Sequence, residues 1–413
     1  MATIAENLTL LKSTKAGIKA AIEAKGVSNV GDKFSDYPAK IASIPTGGST
    51  SGVSQWTGTV DRAGLTELGW STTDIDNFQA NVRWYDWQDP DYAVVDADKS
   101  ITAISQYKDN KDVRYAKMLD TSQVTDMNSM FNGCTSLITI PVLDTSQATS
   151  MNYMFSGSTS LTSIPALDTS KVTNMDSMFY DCTSLTSIPT LNTSQVTSMR
   201  SMFNGCTSLT SIPTLDTSQV TGMGSMFQGC TSLTSIPTLN TSKVTNMGSM
   251  FQSCTSLTSI PTLDTSKVTN MGSMFQGCTS LTSIPTLDTS KVTNMGGMFR
   301  NCTSLTSIES IDFSSCIGTG GMFPSYNNYS KLTSIHVTGS ISFSWTSDGF
   351  SNIPNLDFNS IKSILEAMNR CTNPETAKTM SFKATMTDQD SQLTNLVSEC
   401  NGKGWTITGL TIN

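Results

Sequence analysis

Apolar residues recur along this chain in blocks that keep their phase from about Leu119 to Phe323. In one block Val244, Met247, Met250, Phe251 and Cys254 fall at offsets 0, 3, 6, 7 and 10, and Leu257, Ile260 and Leu263 follow. The first group is spaced like one face of a short helix and the second like an extended step. A block this small cannot bury its own apolar face, and fixed self-similarity at this period predicts stacked turns that bury it against their neighbours. The expected fold class is therefore an α/β solenoid with 24-residue turns, right-handed, with about 4.8 Å between rungs. An Asp- or Asn-Thr-Ser step precedes each stripe from Asp120 to Asp288, with Asn at Asn192 and Asn240. Its side-chain oxygens suit the free N–H groups of a helix start.

The flanks read differently. Ile4, Leu8, Leu11, Ile18 and Ile22 form a helical stripe that Gly26 stops, and Phe34, Tyr37, Ile41 and Ile44 form a second. These two small helices cannot make a core alone, so residues 1–45 are expected to be a helical anchoring segment, followed by a flexible linker at 46–54. Residues 55–117, with Trp56, Trp70, Trp84 and Trp87, read as an N-terminal cap module. Their WYDWQDP run is either core or a carbohydrate platform. The repeats occupy 118–323, and 324–413 is expected to be an irregular C-terminal α/β cap. Within that cap 360–371 reads as helix, 379–386 as strand, Gln389 to Cys400 as helix and 405–412 as strand.

Composition narrows the function classes. Charged residues are 14% of the chain and the net charge is −8; with no Lys/Arg cluster, nucleic-acid binding is not expected. No run of 18 apolar residues predicts a membrane span, and the opening MATIAENLTLLKSTKAG lacks the pattern of an export signal. Seven cysteines occupy one repeated slot, from Cys134 to Cys302, which Ser158 also fills. That interchange points to small buried residues, although neighbouring rungs would bring two cysteines within disulfide reach. Seventeen of the 22 methionines sit in the inward slots, where they read as core rather than as soft-metal ligands. The single histidine, His336, has no nucleophile-and-base constellation around it, no zinc spacing occurs, and no phosphate loop is seen. An Asp ladder could bring carboxylates to glycosidase spacing, but a capping oxygen explains each position. No enzyme activity and no cofactor or metal is expected.

The unit F-x-x-C-T-S-L-T-S-I-P-x-L-D-T-S-x-V-T-x-M-x-x-M resembles the BspA-type leucine-rich repeat of bacterial and protist surface proteins. That resemblance implies a leucine-rich-repeat solenoid that adheres to cell surfaces or matrix, with no catalytic residues to carry over. The opening LTLLKSTKAGIKAAIEAKGV followed by VGDKFSDYPAKIASI is similar to the N-terminal segment of tail-fibre and appendage proteins of phages infecting gut Bacteroidales, including crAss-like phages. It implies a virion protein, assembled in the host cytoplasm, that binds a host cell-surface glycan or protein. Residues 1–45 would then hold it to a tail structural protein, as a homo-oligomer and in particular a trimer. A bacterial adhesin of the BspA type and, more remotely, a glycan depolymerase are the alternatives. The expected receptor-binding residues lie at the distal end, where unique aromatic and polar groups cluster: Tyr326, Asn327, Asn328, Tyr329, Phe343 and Trp345. The same aromatics could instead cap the open end of the solenoid.

Overall fold

The protein is seen in a computed structural model that describes residues 92–93, 115–116 and 121–413, apart from 141, 318, 325–328, 345–348, 372–377 and 389–390. It divides into two compact units, Met1–Val94 and Val95–Asn413, and the repeats and the C-terminal cap belong to the second. The expected anchoring helices, the linker and nearly all of the 55–117 module lie outside the described residues.

The repeats wind as a coil. Parallel bridges step through it one turn at a time, as in Asp126↔Ser150, Gly222↔Asn246 and Asn270↔Asn294. Numbered by their phenylalanines, the coils run from the first at Phe131 to the ninth at Phe323.

The expected helix is absent from the described repeats. Where it was placed, consecutive tight turns close with bonds three residues apart, such as Met250 N–H to Met247 O at 3.1 Å and Cys254 N–H to Phe251 O at 3.1 Å. The amides between them donate to the next coil: Met247 to Asn270 O, Ser249 to Gly272 O, Phe251 to Met274 O and Ser253 to Gln276 O, at 2.6–3.0 Å. A left-handed residue interrupts each run, Ser225 at φ 58° and Ser249 at φ 56° among them, and a helix cannot pass through such a residue. Turns of three residues place apolar side chains inward at nearly the spacing of a helix face, which is why the stripe reads as helical. The Asp/Asn step likewise caps a turn rather than a helix. Asp216 Oδ1 accepts from Ser218 N–H at 2.9 Å and Asn240 Oδ1 from Ser242 N–H at 3.2 Å.

Inside the coil each slot becomes a column. Phe131 to Phe323 form a file of nine near-parallel rings with centroids 5.6–6.0 Å apart, within the range of offset stacking. Buried threonines from Thr169 to Thr289 donate forward, as Thr217 Oγ1 does to Asn240 O at 2.9 Å, while exposed ones donate backward, as Thr221 Oγ1 does to Thr197 O at 3.3 Å. The cysteines are free and buried, and their thiols serve as hydrogen-bond donors. Cys230 Sγ donates to Phe203 O at 3.0 Å and Cys254 Sγ to Phe227 O at 3.0 Å. Ser158 Oγ makes the same bond to Phe131 O at 2.8 Å. The slot therefore needs a small buried donor, which explains why Ser and Cys interchange.

The C-terminal cap carries the described helices. After two-residue strands β1 (Tyr92–Ala93) and β2 (Tyr115–Ala116), strand β3 (Ser307–Asp312) at the end of the repeats pairs in parallel with β4 (Ser334–Thr338) in the cap, and β5 (Lys378–Met386) with β6 (Trp405–Ile412). Between them lie α1 (Phe358–Asn369), whose Asp357 cap accepts from Ser360 N–H at 2.7 Å, and α2 (Gln392–Gly402). Gly409 is in β6 at φ 68°, and a Cβ there would come within 1.9 Å of Phe382 O, so only glycine lets β5 approach. The aromatic file continues into this cap, from Phe323 to Phe350 at 6.5 Å and from Phe350 to Phe382 at 6.0 Å.

The columns can be tested in two ways. Phe227→Ala removes a fully buried ring that stacks on both sides and should cost about 3–5 kcal/mol, read as a lower denaturation midpoint; an unchanged midpoint would refute the file as a stabilising core. The thiols provide the second test. Burial pushes Cys278 from its ordinary 9.0 up to about 12 and holds Cys206, Cys230 and Cys254 well above 9.0. Because the folded values are raised, their stabilisation is complete below the unfolded value and is lost as pH rises through the folded ones. Stability should thus fall steadily above about pH 9, and native-state alkylation at about pH 8 should leave these cysteines unmodified until denaturant is added.

Candidate binding surface

One slot on the outer face of the coil changes character along its length. Three residues before the phenylalanine, coils one to four carry Asn128, Asn152, Asp176 and Arg200, whereas coils five to nine carry glycine, from Gly224 to Gly320. With no side chains in that column beyond Arg200, a groove of about 480 Å³ opens from coil four to coil eight. Its floor is glycine backbone. Asn246, Asn270 and Asn294 stand in one flanking column, Ser201 to Ser273 in the other, and Arg200 lies at one end.

The asparagines are held in place. Asn246, Asn270 and Asn294 accept with Oδ1 from the amides of Gly248, Gly272 and Gly296 at 2.8–3.0 Å, and Asn270 Nδ2 donates to Asn246 Oδ1 at 3.3 Å. A Cβ at Gly248 or Gly272 would meet the next asparagine Nδ2 at 2.9 or 2.8 Å, so the glycines make room for these amides. The groove is lined by carboxamides, hydroxyls and one guanidinium, with no carboxylate, thiol or imidazole. Such a surface can hydrogen-bond a polar ligand.

The Asp ladder is a set of turn caps. Ser170 and Ser218 amides, then their hydroxyls, hold Asp168 and Asp216 below the ordinary 3.8, and the Ser266 and Ser290 hydroxyls, then amides, do the same for Asp264 and Asp288. These carboxylates stay ionised as acceptors, unlike the proton-bearing acid of a glycosidase. Among the described residues no three His, Cys, Asp or Glu side chains gather as a metal site, and no helix is long and apolar enough to cross a membrane.

Of the six distal candidates the structure describes two, Tyr329 and Phe343. Tyr329 is 1% exposed; it meets Phe323 edge-on at 5.4 Å, donates its hydroxyl to Phe299 O at 3.2 Å and accepts from Asn301 N–H at 3.3 Å. It closes the end of the aromatic file and offers nothing to a receptor. Phe343 is half-buried and edge-on to Phe313 at 5.8 Å. Tyr326, Asn327, Asn328 and Trp345 lie outside the described residues. His336 is exposed on β4. Sequence reasoning missed the groove, although the switch to glycine at Gly224 was there to be read.

A stacked coil whose one outer face is grooved defines a repeat protein. Three overlapping matches, at residues 100–211, 185–260 and 234–336, place the chain in the family described as Mycoplasma protein of unknown function, DUF285, and together they cover more than half of it; the chain belongs to that family. No curated protein matches. Among solved structures, the chain is similar to a leucine-rich repeat protein from Eubacterium ventriosum at 16% identity and TM-score 0.29, over 66% of this chain and 90% of that one. It is also similar to TLR13 in its complex with ssRNA13 at 13% identity and TM-score 0.26, covering 77% of this chain but 54% of that one. The plant peptide hormone receptor RGFR1, in complex with RGF2, matches at 11% identity and TM-score 0.25, over 73% of this chain and 60% of that one. The coil is defined by its own hydrogen-bond ladder, independently of these likenesses.

Replacing Gly248 and Gly272 together by alanine would push the Asn270 and Asn294 amides into the groove. Thermal unfolding should change by less than about 1 kcal/mol, while any ligand seated in the groove should bind more weakly in a direct titration.

Proposed function

We propose that the chain is a leucine-rich-repeat adhesin that binds host cell surfaces as part of a phage tail fibre or appendage. The observation that carries the binding role is the rigid, glycine-floored groove of amide and hydroxyl groups, repeated coil after coil. Repetition suits ligands that are themselves repetitive, because many weak contacts along one molecule multiply. The opening segment, similar to those of phage appendage proteins, supports the virion assignment, with residues 1–45 anchoring a homotrimer to a tail protein. A BspA-type adhesin of a cell is the second reading, favoured by the family description, which names a cellular organism.

Mass spectrometry of purified phage particles and of the bacterial envelope separates the two. Recovery of the chain in particles at a fixed ratio to a tail protein is the expected result; recovery only in envelopes would assign it to the cell. Purified full-length protein should also decorate host cells in flow cytometry, and absence of any cell binding would remove the adhesin role altogether.

A further inference from the structure

Coils two and three break the uniformity of the repeat at one place. Tyr153 occupies a left-handed slot at φ 56° that is serine in coils one and three to seven, and Tyr180 occupies a slot filled elsewhere by Asn132, Ser156, Asn204, Arg300, Pro324 or glutamine. Both are exposed, at 46% and 37%, where large apolar side chains are otherwise rarely displayed. Backbone bonds fix their relation. Ser156 N–H closes on Tyr153 O, Tyr180 N–H on Ser177 O, and Gly157 N–H reaches Tyr180 O in the next coil. The two tyrosines thus stand at one diagonal of a square whose other diagonal is Ser156 and Ser177. Those serines are 8% and 7% exposed, whereas Ser129 and Ser201 in the slot of Ser177, and Asn132 and Asn204 in the slot of Ser156, are only partly buried. The two serines are covered where the two phenols stand beside them, and the phenols themselves stay open to solvent.

Beside this platform is Asp181, in a left-handed slot at φ 53° that is glycine in coils one, two, four, five and seven. Its carboxylate overhangs Gly205, where a Cβ would come within 2.0 Å of Oδ1. It accepts no hydrogen bond from any described residue, and partial burial raises its pKa above the ordinary 3.8. An aromatic in a left-handed conformation and a partly desolvated, unpartnered carboxylate both carry a cost, and such costs collect at sites that bind. Tyr153 also lies on the groove's line, in the same column as the groove's serine wall two coils before Ser201.

We infer that Tyr153, Tyr180 and Asp181 form a carbohydrate subsite for a neutral glycan, in which the tyrosine faces stack on a sugar ring and Asp181 accepts from its hydroxyls. This rests on the adhesin reading and names its ligand class. The chemistry favours a sugar over a protein, because a protein interface needs an apolar centre with a desolvating rim and the slots around the platform are Asn152, Asp176, Arg200 and Asn204. Asp176 and Asp181, on a chain of net charge −8, repel uronic and sialic acids.

The test replaces each residue by the one its neighbouring coils use: Tyr153→Ser, Tyr180→Gln and Asp181→Gly in one full-length protein. Fold is safeguarded by design, and thermal unfolding should match or exceed that of the parent. On a printed array of purified neutral and uronate-containing oligosaccharides, the parent should bind neutral members and the triple variant should lose about tenfold or more in affinity. Equal binding by both proteins would reject the subsite and leave the adhesin reading intact. Binding by the parent to uronates alone would also reject the subsite. A parent that binds no glycan, and instead binds a protease-sensitive component of host cells, would overturn the glycan inference while sparing the adhesin role. Failure to bind glycans and cells alike would remove both.

Discussion

Every other amide along the outer arc of a coil donates to the coil that follows, and this single demand governs the rest. Met247, Ser249, Phe251 and Ser253 all point their N–H groups forward, so an amide is satisfied only if the next coil presents a carbonyl at the matching height. A coil one residue longer would offset every bond in that arc and turn its core side chains outward. The constancy of the turn, the file of rings and the column of thiols are consequences of that registration. Hydroxyls serve the same end: Thr217 reaches forward and Thr221 backward to main-chain carbonyls, so a good part of a Ser/Thr-rich exterior is occupied in holding coils together.

The legible parts of the chain were those where side-chain identity alone decides. The apolar phase located the inward columns, the Ser158 substitution identified the cysteine slot as interior, and the cap's helices and strands stood out because Ile361, Ile364, Leu365 and Met368 form an unambiguous helical face. The repeat itself was misread as helical. Turns closed every three residues and a helix both place Met247 and Met250 on one side, and only the abundance of Thr, Ser, Asn and Gly, poor helix formers all, argued for turns. The left-handed serines carry no signature, because serine is not among the residues enriched in that conformation.

The binding face was less readable still. A groove made of glycines exists only between coils, so its meaning depends on what lies one turn away and not on sequence neighbours. Aromatics near the chain's distal end drew attention as candidates, but Tyr329 turns inward because the file of rings must end on something apolar. Tyr153 and Tyr180 were visible as departures from the repeat, yet whether they were buried turned on the unseen direction of a turn.

The free thiols have a consequence of a mechanical kind. Since no described cysteine is cross-linked and each coil bonds only to those beside it, tension along the chain has nothing covalent to stop it and no distant contact to break. A coil pulled from the end would peel away alone and let out roughly 80 Å of chain as it straightens, while its neighbours stayed wound. A molecule made this way lengthens in steps under load instead of failing at once, and rewinds on the template that the remaining coils provide.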